Sequence, residues 1–479
     1  MTDYKWSYSI PDLPSPQAAN NLGLVKAISV KTVGTKHQMT LQLRPVSMNR
    51  ALRSDPLDSF VLISFADFHS RSLRQASAEV IGTQPCTPKD CSDYMVKLLR
   101  AGITLNGVHY NFYGHSNSQL KSRTCFLFAG TKDHICAKVD ASGEFGKMKT
   151  VQKKAKRIGL LFSSADVAMT IDPKWVEDIE DIETADYIFT DGCGLIAPQL
   201  AQQLSAKAVI AFRNVRYCPA VFQLRYRGYK GVVTVEPRMK RGSASGPGAP
   251  LLRLRKSMKK FNGGDNHSFS VVQYSKPYTF GHLNDEIILL IHSLGIPTTT
   301  LLRKQEDHFA FLASAPHDPP TAFKFLAYIN RFDLAERVVL ESLSPSLQLT
   351  IQSLVRAEHS KLLKNREEQK CRIFLPQSRM LFGVCDAWGV LKEGECQVRV
   401  THDQDGQPRT LINCDVLVTR NPCLHPGDMQ KFRAVQKDEL SHLVDCIVFS
   451  TEGKRPAADL MSGGDLDGDT CGRSATQET

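Results

Sequence analysis

The residues best able to do chemistry lie in Ser462-Gly-Gly-Asp465-Leu-Asp467-Gly-Asp469. Three carboxylates at i, i+2 and i+4 repel one another unless a cation neutralises them. Glycines before and between them let the backbone curl, so that alternate side chains converge on one ion. Hard oxygen donors at this density suit Mg²⁺, which takes an octahedral oxygen shell.

Three other readings compete for this motif. An EF-hand calcium loop needs Gly at position 6 and Glu at position 12. Counted from Asp465 those places hold Thr470 and Thr476, so that reading fails. A haloacid-dehalogenase-type phosphatase carries Asp-x-Asp-Gly straight after a buried apolar strand, with Thr fifth. Here Ser-Gly-Gly precedes and Asp469 stands fifth. A solvated acidic turn is the third reading, and it leaves the repulsion without an answer.

A second feature narrows the chemistry. Between Arg213 and Lys260 thirteen basic residues face one acid, Glu236, with Tyr217, Phe222, Tyr226, Tyr229 and Phe261 interleaved. Basic side chains neutralise phosphates and aromatic rings stack on bases, so the segment reads as a nucleic-acid track. The bland alternative is a basic strand surface whose aromatic rings lie in the core. A shorter run, Lys147 to Arg157, holds six basic residues in eleven, and its bland reading is a solvated helix face. The whole chain carries +11 in 479 residues, which agrees with an anionic partner. Acidic metal site and basic track together point to phosphoryl or nucleotidyl transfer on a nucleic acid.

The elements that must position these groups are of mixed type. With 42% hydrophobic and 23% charged residues, the chain is an ordinary globular one rather than disordered or fibrous. Its length suits about three domains at ~150 residues each. Thirteen scattered cysteines without a Cys-x-x-Cys pair exclude a disulfide scaffold and a zinc array, and read as reduced thiols. The N-terminal residues lack a signal peptide's apolar core, and Ile287-Ile-Leu-Leu-Ile-His is too short to span a membrane. A cytoplasmic or nuclear protein is expected.

Phe60-Val-Leu-Ile-Ser-Phe and Cys125-Phe-Leu-Phe read as strands, as does Val221 to Val235, where glycines mark a bulge or a close backbone approach. Pro198 opens a helix. Leu283, Ile287, Leu290, Ile291 and Leu294 share one helix face, which Gly295 and Pro297 end. From Cys371 the pattern returns to strands. The layout is β-rich, helical, β-rich.

At the acidic motif the sequence resembles the cellular RNA-dependent RNA polymerases of RNA silencing. Gly464-Asp-Leu-Asp-Gly-Asp469 looks like the family's catalytic loop, and Arg420-Asn-Pro-Cys-Leu-His-Pro-Gly-Asp428 like the block before it. Leu381-Phe-Gly-Val-Cys-Asp386 with Gly389-Val-Leu391 resembles the opening of the second catalytic barrel. Phe222-Gln-Leu-Arg-Tyr-Arg-Gly-Tyr-Lys-Gly231 and Leu254-Arg-Lys-Ser-Met-Lys-Lys-Phe261 resemble blocks of the first. Ser116-Asn-Ser-Gln-Leu120 and Asp191-Gly-Cys-Gly194 fit weaker blocks.

The resemblance implies an α+β chain with two double-psi β-barrels, a helical connector and a β-rich N-terminal region. The domains expected are 1–150, a first barrel at 151–265, a connector at 266–370, a second barrel at 371–469, and an off-pattern tail at 470–479. The family continues after its acidic loop with an aromatic residue and apolar strand, whereas this chain reads Thr470-Cys-Gly-Arg-Ser-Ala. The second barrel is therefore expected to be incomplete.

By resemblance Asp465, Asp467 and Asp469 are catalytic and hold Mg²⁺. By the same resemblance Arg420 recognises the ribose 2′-hydroxyl and Lys230 and Lys260 meet phosphates; from the basic track Arg225, Arg227 and Arg255 are expected to contact RNA. The activity implied is RNA-directed RNA synthesis from a single-stranded template and nucleoside triphosphates, for double-stranded and small RNA in gene silencing, with silencing-complex proteins as partners and no membrane. The alternative is an inactive RNA-binding remnant of the same fold.

Overall fold

The run Phe60-Val-Leu-Ile-Ser-Phe does form a strand, Phe60–Ala66, because its alternating apolar side chains are covered on both faces: Phe60, Val61 and Ile63 are fully buried. It belongs to a seven-stranded mixed sheet in the order Ser7–Tyr8, Ile103–Leu105, Val108–Gly114, Thr124–Ala129, Phe60–Ala66, Leu24–Val33, Lys36–Pro45. The structure, a computed structural model, describes residues 6–10, 23–33, 36–66, 87–163, 166–239, 249–263, 267–363, 371–403, 405–468 and 470–475. They divide into two units, Met1–Val167 with Lys260–Asn266, and Ala168–Lys259 with His267–Thr479. The first unit holds the sheet just described. There, the block Ser116-Asn-Ser-Gln-Leu120 works as a capping box: Ser116 and Gln119 satisfy each other's backbone N–H groups at the start of helix Asn117–Lys121.

The second unit opens with another seven-stranded sheet, ordered Asp166–Thr170, Ser268–Tyr274, Val221–Tyr226, Tyr229–Val235, Cys193–Ile196, Leu252–Arg255, Val176–Ile179. Its central hairpin pairs Arg225 with Lys230 and Tyr226 with Tyr229. The two turn residues, Arg227 and Gly228, both have positive φ, +40° and +88°, the handedness that matches the twist of a two-residue hairpin. Gly231 is a close approach, as read from the sequence. A Cβ there would strike the Gly192 carbonyl oxygen.

Five helices follow: Asp285–Ser293, Thr298–Ser314, Pro319–Tyr328, Phe332–Glu341 and Pro345–Leu363. The last four bury Leu312, Phe325, Leu326, Val338, Leu347 and Ile351 together, while Ile287 and Leu290 of the first pack with Cys423. The first helix is shorter than its apolar face suggested. Asn284 caps it by accepting from the Ile287 N–H at 3.0 Å, so Leu283 is left in strand Phe280–Leu283 and Leu294 in the exposed C-cap.

In the last sheet six strands form a ring: Ile373–Cys385, Cys446–Phe449, Glu395–Thr401, Met429–Ala434, Cys414–Arg420 and Thr470–Ala475, which pairs again with the first. This corrects the expected opening in the second barrel. Ladder pairing uses backbone groups, so the run after the acidic loop need not be apolar to supply a strand. Asp386, fully buried, fixes the next turn. Its two carboxylate oxygens accept from the N–H groups of Trp388, Gly389, Val390 and Leu391 at 2.6–3.0 Å. That accounts for the spacing of Asp386 and Gly389-Val-Leu391. Among the described residues no helix is long and apolar enough to cross a membrane, and the described cysteines are free thiols.

Candidate active site

Strand alternation sorts the basic hairpin into two faces. Phe222, Leu224 and Tyr226 point into an apolar core with Tyr229, all of them buried. Gln223 and Arg225 point the other way, and Lys230, directly opposite Arg225, shares their face. The aromatic residues of the basic segment are therefore core rather than a stacking surface, which corrects the sequence reading. They alternate with the charges because a half-buried strand must alternate.

Two like charges directly opposite in an antiparallel pair repel. Here the acidic loop answers them. Lys230 Nζ lies 2.5 and 2.6 Å from the two carboxylate oxygens of Asp467, whose side chain is only 8% exposed. Burial pushes the Arg225 guanidinium down to about 10, with Asp467 pulling it back up, so it stays charged at neutral pH.

The loop's backbone is held from the same side. Gln223 Nε2 donates to the Asp467 carbonyl at 3.2 Å, and the Leu466 N–H donates to the Asp191 carbonyl at 2.9 Å. Gly192 (φ +85°) lies so close that a Cβ would sit 2.7 Å from Asp467 Cβ and 2.8 Å from its backbone nitrogen. The Asp191-Gly192 turn is itself tied down, since the Gly192 N–H donates to Ser257 Oγ at 3.1 Å and Ser257 Oγ donates to Asp181 at 2.8 Å. Asp465 Oδ1 accepts from the Asp467 N–H at 3.3 Å. Asp469, the third carboxylate of the motif, lies outside the described residues. Among the described residues no three His, Cys, Asp or Glu side chains cluster as a metal-ligand set.

The other end of the loop rests on the Arg420–Asp428 block. Arg420 ends strand Cys414–Arg420, and its Cδ would stand 2.7 Å from a Cβ on Gly464, so only glycine fits beneath that side chain. Asp428 Oδ1 accepts from the Ser462 N–H at 3.1 Å while Oδ2 accepts from the His425 N–H at 3.1 Å. Burial raises this carboxyl, but the hydrogen bonds from Ser462, Leu424 and His425 outweigh it and leave it below the usual range. Ser462 Oγ donates to the Pro422 carbonyl at 3.1 Å, which closes the brace.

Hard carboxylate oxygens, a lysine and a guanidinium on one face form a site able to bind phosphate oxygens and a divalent cation. The family description "RNA dependent RNA polymerase" matches residues 35–472. The chain belongs to the RNA-dependent RNA polymerase family. It is similar to the probable RNA-dependent RNA polymerase 1 of Oryza sativa subsp. japonica, at 32% identity over 431 residues, 88% of this chain and 56% of that protein. It is 30% identical to RNA-dependent RNA polymerase 1 of Arabidopsis thaliana, over 98% of this chain and 42% of that one. In fold it matches the RNA dependent RNA polymerase QDE-1 from Thielavia terrestris, with a TM-score of 0.70, 20% identity and cover of 95% of this chain and 53% of that chain. The chain thus spans about half the length of the relatives it matches, and its two curled sheets are the double-psi barrels expected of a polymerase of this family.

The remaining expected residues fall elsewhere. Arg255 is buried and directs its guanidinium to the main-chain carbonyls of Cys193 and Glu180. Lys260 falls in the other unit, beside Phe261, whose ring packs 4.9 Å from that of Phe145. Arg227 occupies the hairpin turn, away from Asp467's partners. These placements separate two arginines that the sequence treats alike. Neutralising Arg227 with Gln should lower the slope of log affinity for RNA against log salt by about 0.7 to 0.9, as expected of one phosphate contact. Arg225→Gln should leave that slope near the wild-type value and depress nucleotide incorporation instead. Filter binding across a salt series checks both, and equal slopes for the two variants would sink the distinction.

Sequence reasoning missed Gln223, Gly192 and Ser257 as parts of the site. For Gln223 a signal existed: it alternates with Arg225, so it had to share the charged face. Ser257 carries none, since its link to Gly192 joins residues 65 apart in the chain.

Proposed function

We propose that the chain is the catalytic core of a template-directed RNA polymerase, which extends RNA by nucleotidyl transfer on a single-stranded RNA template. The observation that carries this is the meeting of the basic face Gln223–Arg225–Lys230 with the buried carboxylate of Asp467. The carboxylates of Asp465 and Asp467 are hard oxygen donors and fit Mg²⁺, with Asp469 as the third ligand that the motif supplies. When bound, such an ion stabilises negative charge on the phosphate oxygens and on the attacking 3′-hydroxyl.

The chain's own residues do the rest. Lys230 is a point charge for the incoming triphosphate, close enough to Asp467 to align phosphate and carboxylates together. Gln223 and Gly192 fix the loop so that its alternate side chains keep one direction. Arg420, braced on Gly464, donates to the ribose 2′-hydroxyl. The product is double-stranded RNA for small-RNA gene silencing, made in the cytoplasm or nucleus alongside proteins of that pathway.

The test is incorporation of labelled nucleoside triphosphates by the 479-residue chain on single-stranded RNA of defined sequence. Product complementary to the template is expected. Addition of nucleotides regardless of template sequence, or RNA binding without any incorporation, would refute the proposal. Arg420 gives a sharper readout. A deoxynucleotide leaves its donor without a partner, and a buried unpaired polar group costs about 1–3 kcal/mol, so ribose should be preferred about tenfold to a hundredfold. In Arg420→Ala the ribonucleotide rate should fall towards the deoxynucleotide rate in single-turnover assays. If both rates fall equally and the preference survives, Arg420 only supports the turn at Pro422.

A further inference from the structure

The basic run Lys147 to Arg157 has no place in the site just described, and it is not spread over the surface at random. Its core is helix Val151–Gly159, capped by Thr150, whose side chain accepts from the Lys153 N–H at 3.2 Å. One end is anchored. Gly159 lies against the His115 carbonyl, where a Cβ would come within 3.1 Å, and the following Leu161 and Phe162 are buried in the core of the first unit with Ile158 packed on it. The other end stands out from that core. Residues 151 to 156 are exposed, Val151 to 87%.

Lys147, Lys149, Lys153, Lys154 and Lys156 belong to this projection, while Arg157 is half-buried at its base, and no acid occurs between Glu144 and Asp166. Glu144 pairs with Lys147 at 2.9 Å, so it offsets the outermost charge only. A solvated helix that merely needs solubility mixes its signs. Helix Pro88–Ala101 of the same unit does so, setting Lys89, Lys97 and Arg100 among Asp90 and Asp93.

We propose that helix Val151–Gly159 is a second RNA-binding surface, one that takes the phosphate backbone of a strand without reading its bases. The inference rests on the polymerase reading for the kind of polyanion and on local charge for the place. Nine residues at 1.5 Å each make a rod of about 13 Å, long enough to lie along a few phosphates of one strand. Lys153, Lys154 and Lys156 on the helix, with Lys149 just before it, supply the cations. Aromatic and amide side chains that could read bases are sparse on the helix, Gln152 being its one amide, so binding should be indifferent to sequence.

The experiment compares two triple variants of the full chain: Lys153→Gln/Lys154→Gln/Lys156→Gln, and Lys89→Gln/Lys97→Gln/Arg100→Gln as a control with equal loss of charge. Each replaces exposed side chains. RNA affinity is measured by fluorescence anisotropy from low to high salt without triphosphates, on two RNAs of unrelated sequence. The first variant should flatten the salt slope by about two to three ions, equally for both RNAs, while the control stays near wild type. Equal slopes for the wild type and the helix variant overturn the proposal, as does an equal effect of the control, which would make net charge the cause. Vesicles of anionic phospholipid form a separate arm. Loss of vesicle binding in the helix variant with RNA binding intact would assign the surface to a membrane and also overturn it. Asp467→Asn, measured alongside, keeps the two ideas apart: it stops incorporation if the polymerase reading holds and leaves this slope unmoved.

Discussion

Asp467→Asn should abolish nucleotide incorporation, by about a thousandfold or more, while RNA affinity remains close to that of the wild type. The substitution keeps the shape of the side chain and removes its charge. Asn can still accept from Lys230 through one oxygen, and the bond from Gln223 is to the Asp467 main chain, so the loop keeps its support. What disappears is the hard anionic oxygen pair that a divalent cation and the ordering of Lys230 both need. Loss of a single preorganised electrostatic group at a reacting centre is worth about 10² to 10³ in rate, and in the role proposed for it Asp467 would also be a metal ligand. The measurement is template-dependent incorporation beside filter binding of the same RNA. Near-normal synthesis by this variant would take the acidic loop out of the mechanism.

The second large effect should come from one methyl group. In Gly192→Ala the new Cβ would lie 2.7–2.8 Å from three atoms of Asp467, including its Cα and backbone nitrogen. Carbon atoms rest at about 3.5–4.0 Å, so one of the two turns must yield by close to 1 Å. Misplacement of a reacting group by that distance can cost about a hundredfold in rate. The positive φ of Gly192 adds strain for any L residue, and this is separable. Gly463 has a similar backbone, φ +62°, but open space where its Cβ would be. Gly463→Ala should therefore lose stability from strain alone, less than Gly192→Ala, and retain most of its activity. Melting temperatures and single-turnover rates of the pair decide the matter. Equal activity losses would show that strain, not crowding of Asp467, is responsible.

The acidic motif was legible because three carboxylates at alternate positions repel one another, and a bound cation relieves that repulsion at once. So were the strand Phe60–Ala66 and the helix Pro198–Lys207, where local pattern and tertiary structure agree, whereas Val221 to Val235 was legible as β structure but not as the hairpin that turns at Arg227 and Gly228. The interleaved aromatics misled, because composition counts a residue without saying which face of a strand it takes. Tyr226 and Arg225 are neighbours in sequence and opposites in space. The strand Thr470–Ala475 was illegible for a different reason. Its pairing is backbone to backbone, and its residues advertise nothing. Gly192 is the intermediate case: the block Asp191-Gly-Cys-Gly194 stands out in the sequence, but the partner that forbids a side chain there is 275 residues away.

The ring of the second barrel has a consequence for how the molecule is made. Its first strand, Ile373–Cys385, and its last, Thr470–Ala475, are joined only after the intervening segment has been synthesised, and the last strand directly follows the acidic loop. Until then Ile373–Cys385 and Cys414–Arg420 each present a row of unpaired amides and carbonyls, the kind of edge on which chains aggregate or recruit a foreign strand. On the ribosome the nascent protein must therefore wait with an open seam while residues 386–469, the 84 between the two strands, are added at ~5–20 residues per second. The step that seals the seam is the same one that delivers Asp465 and Asp467 to Lys230. The hazard of such edges therefore falls in the window before the ring closes, and not after it.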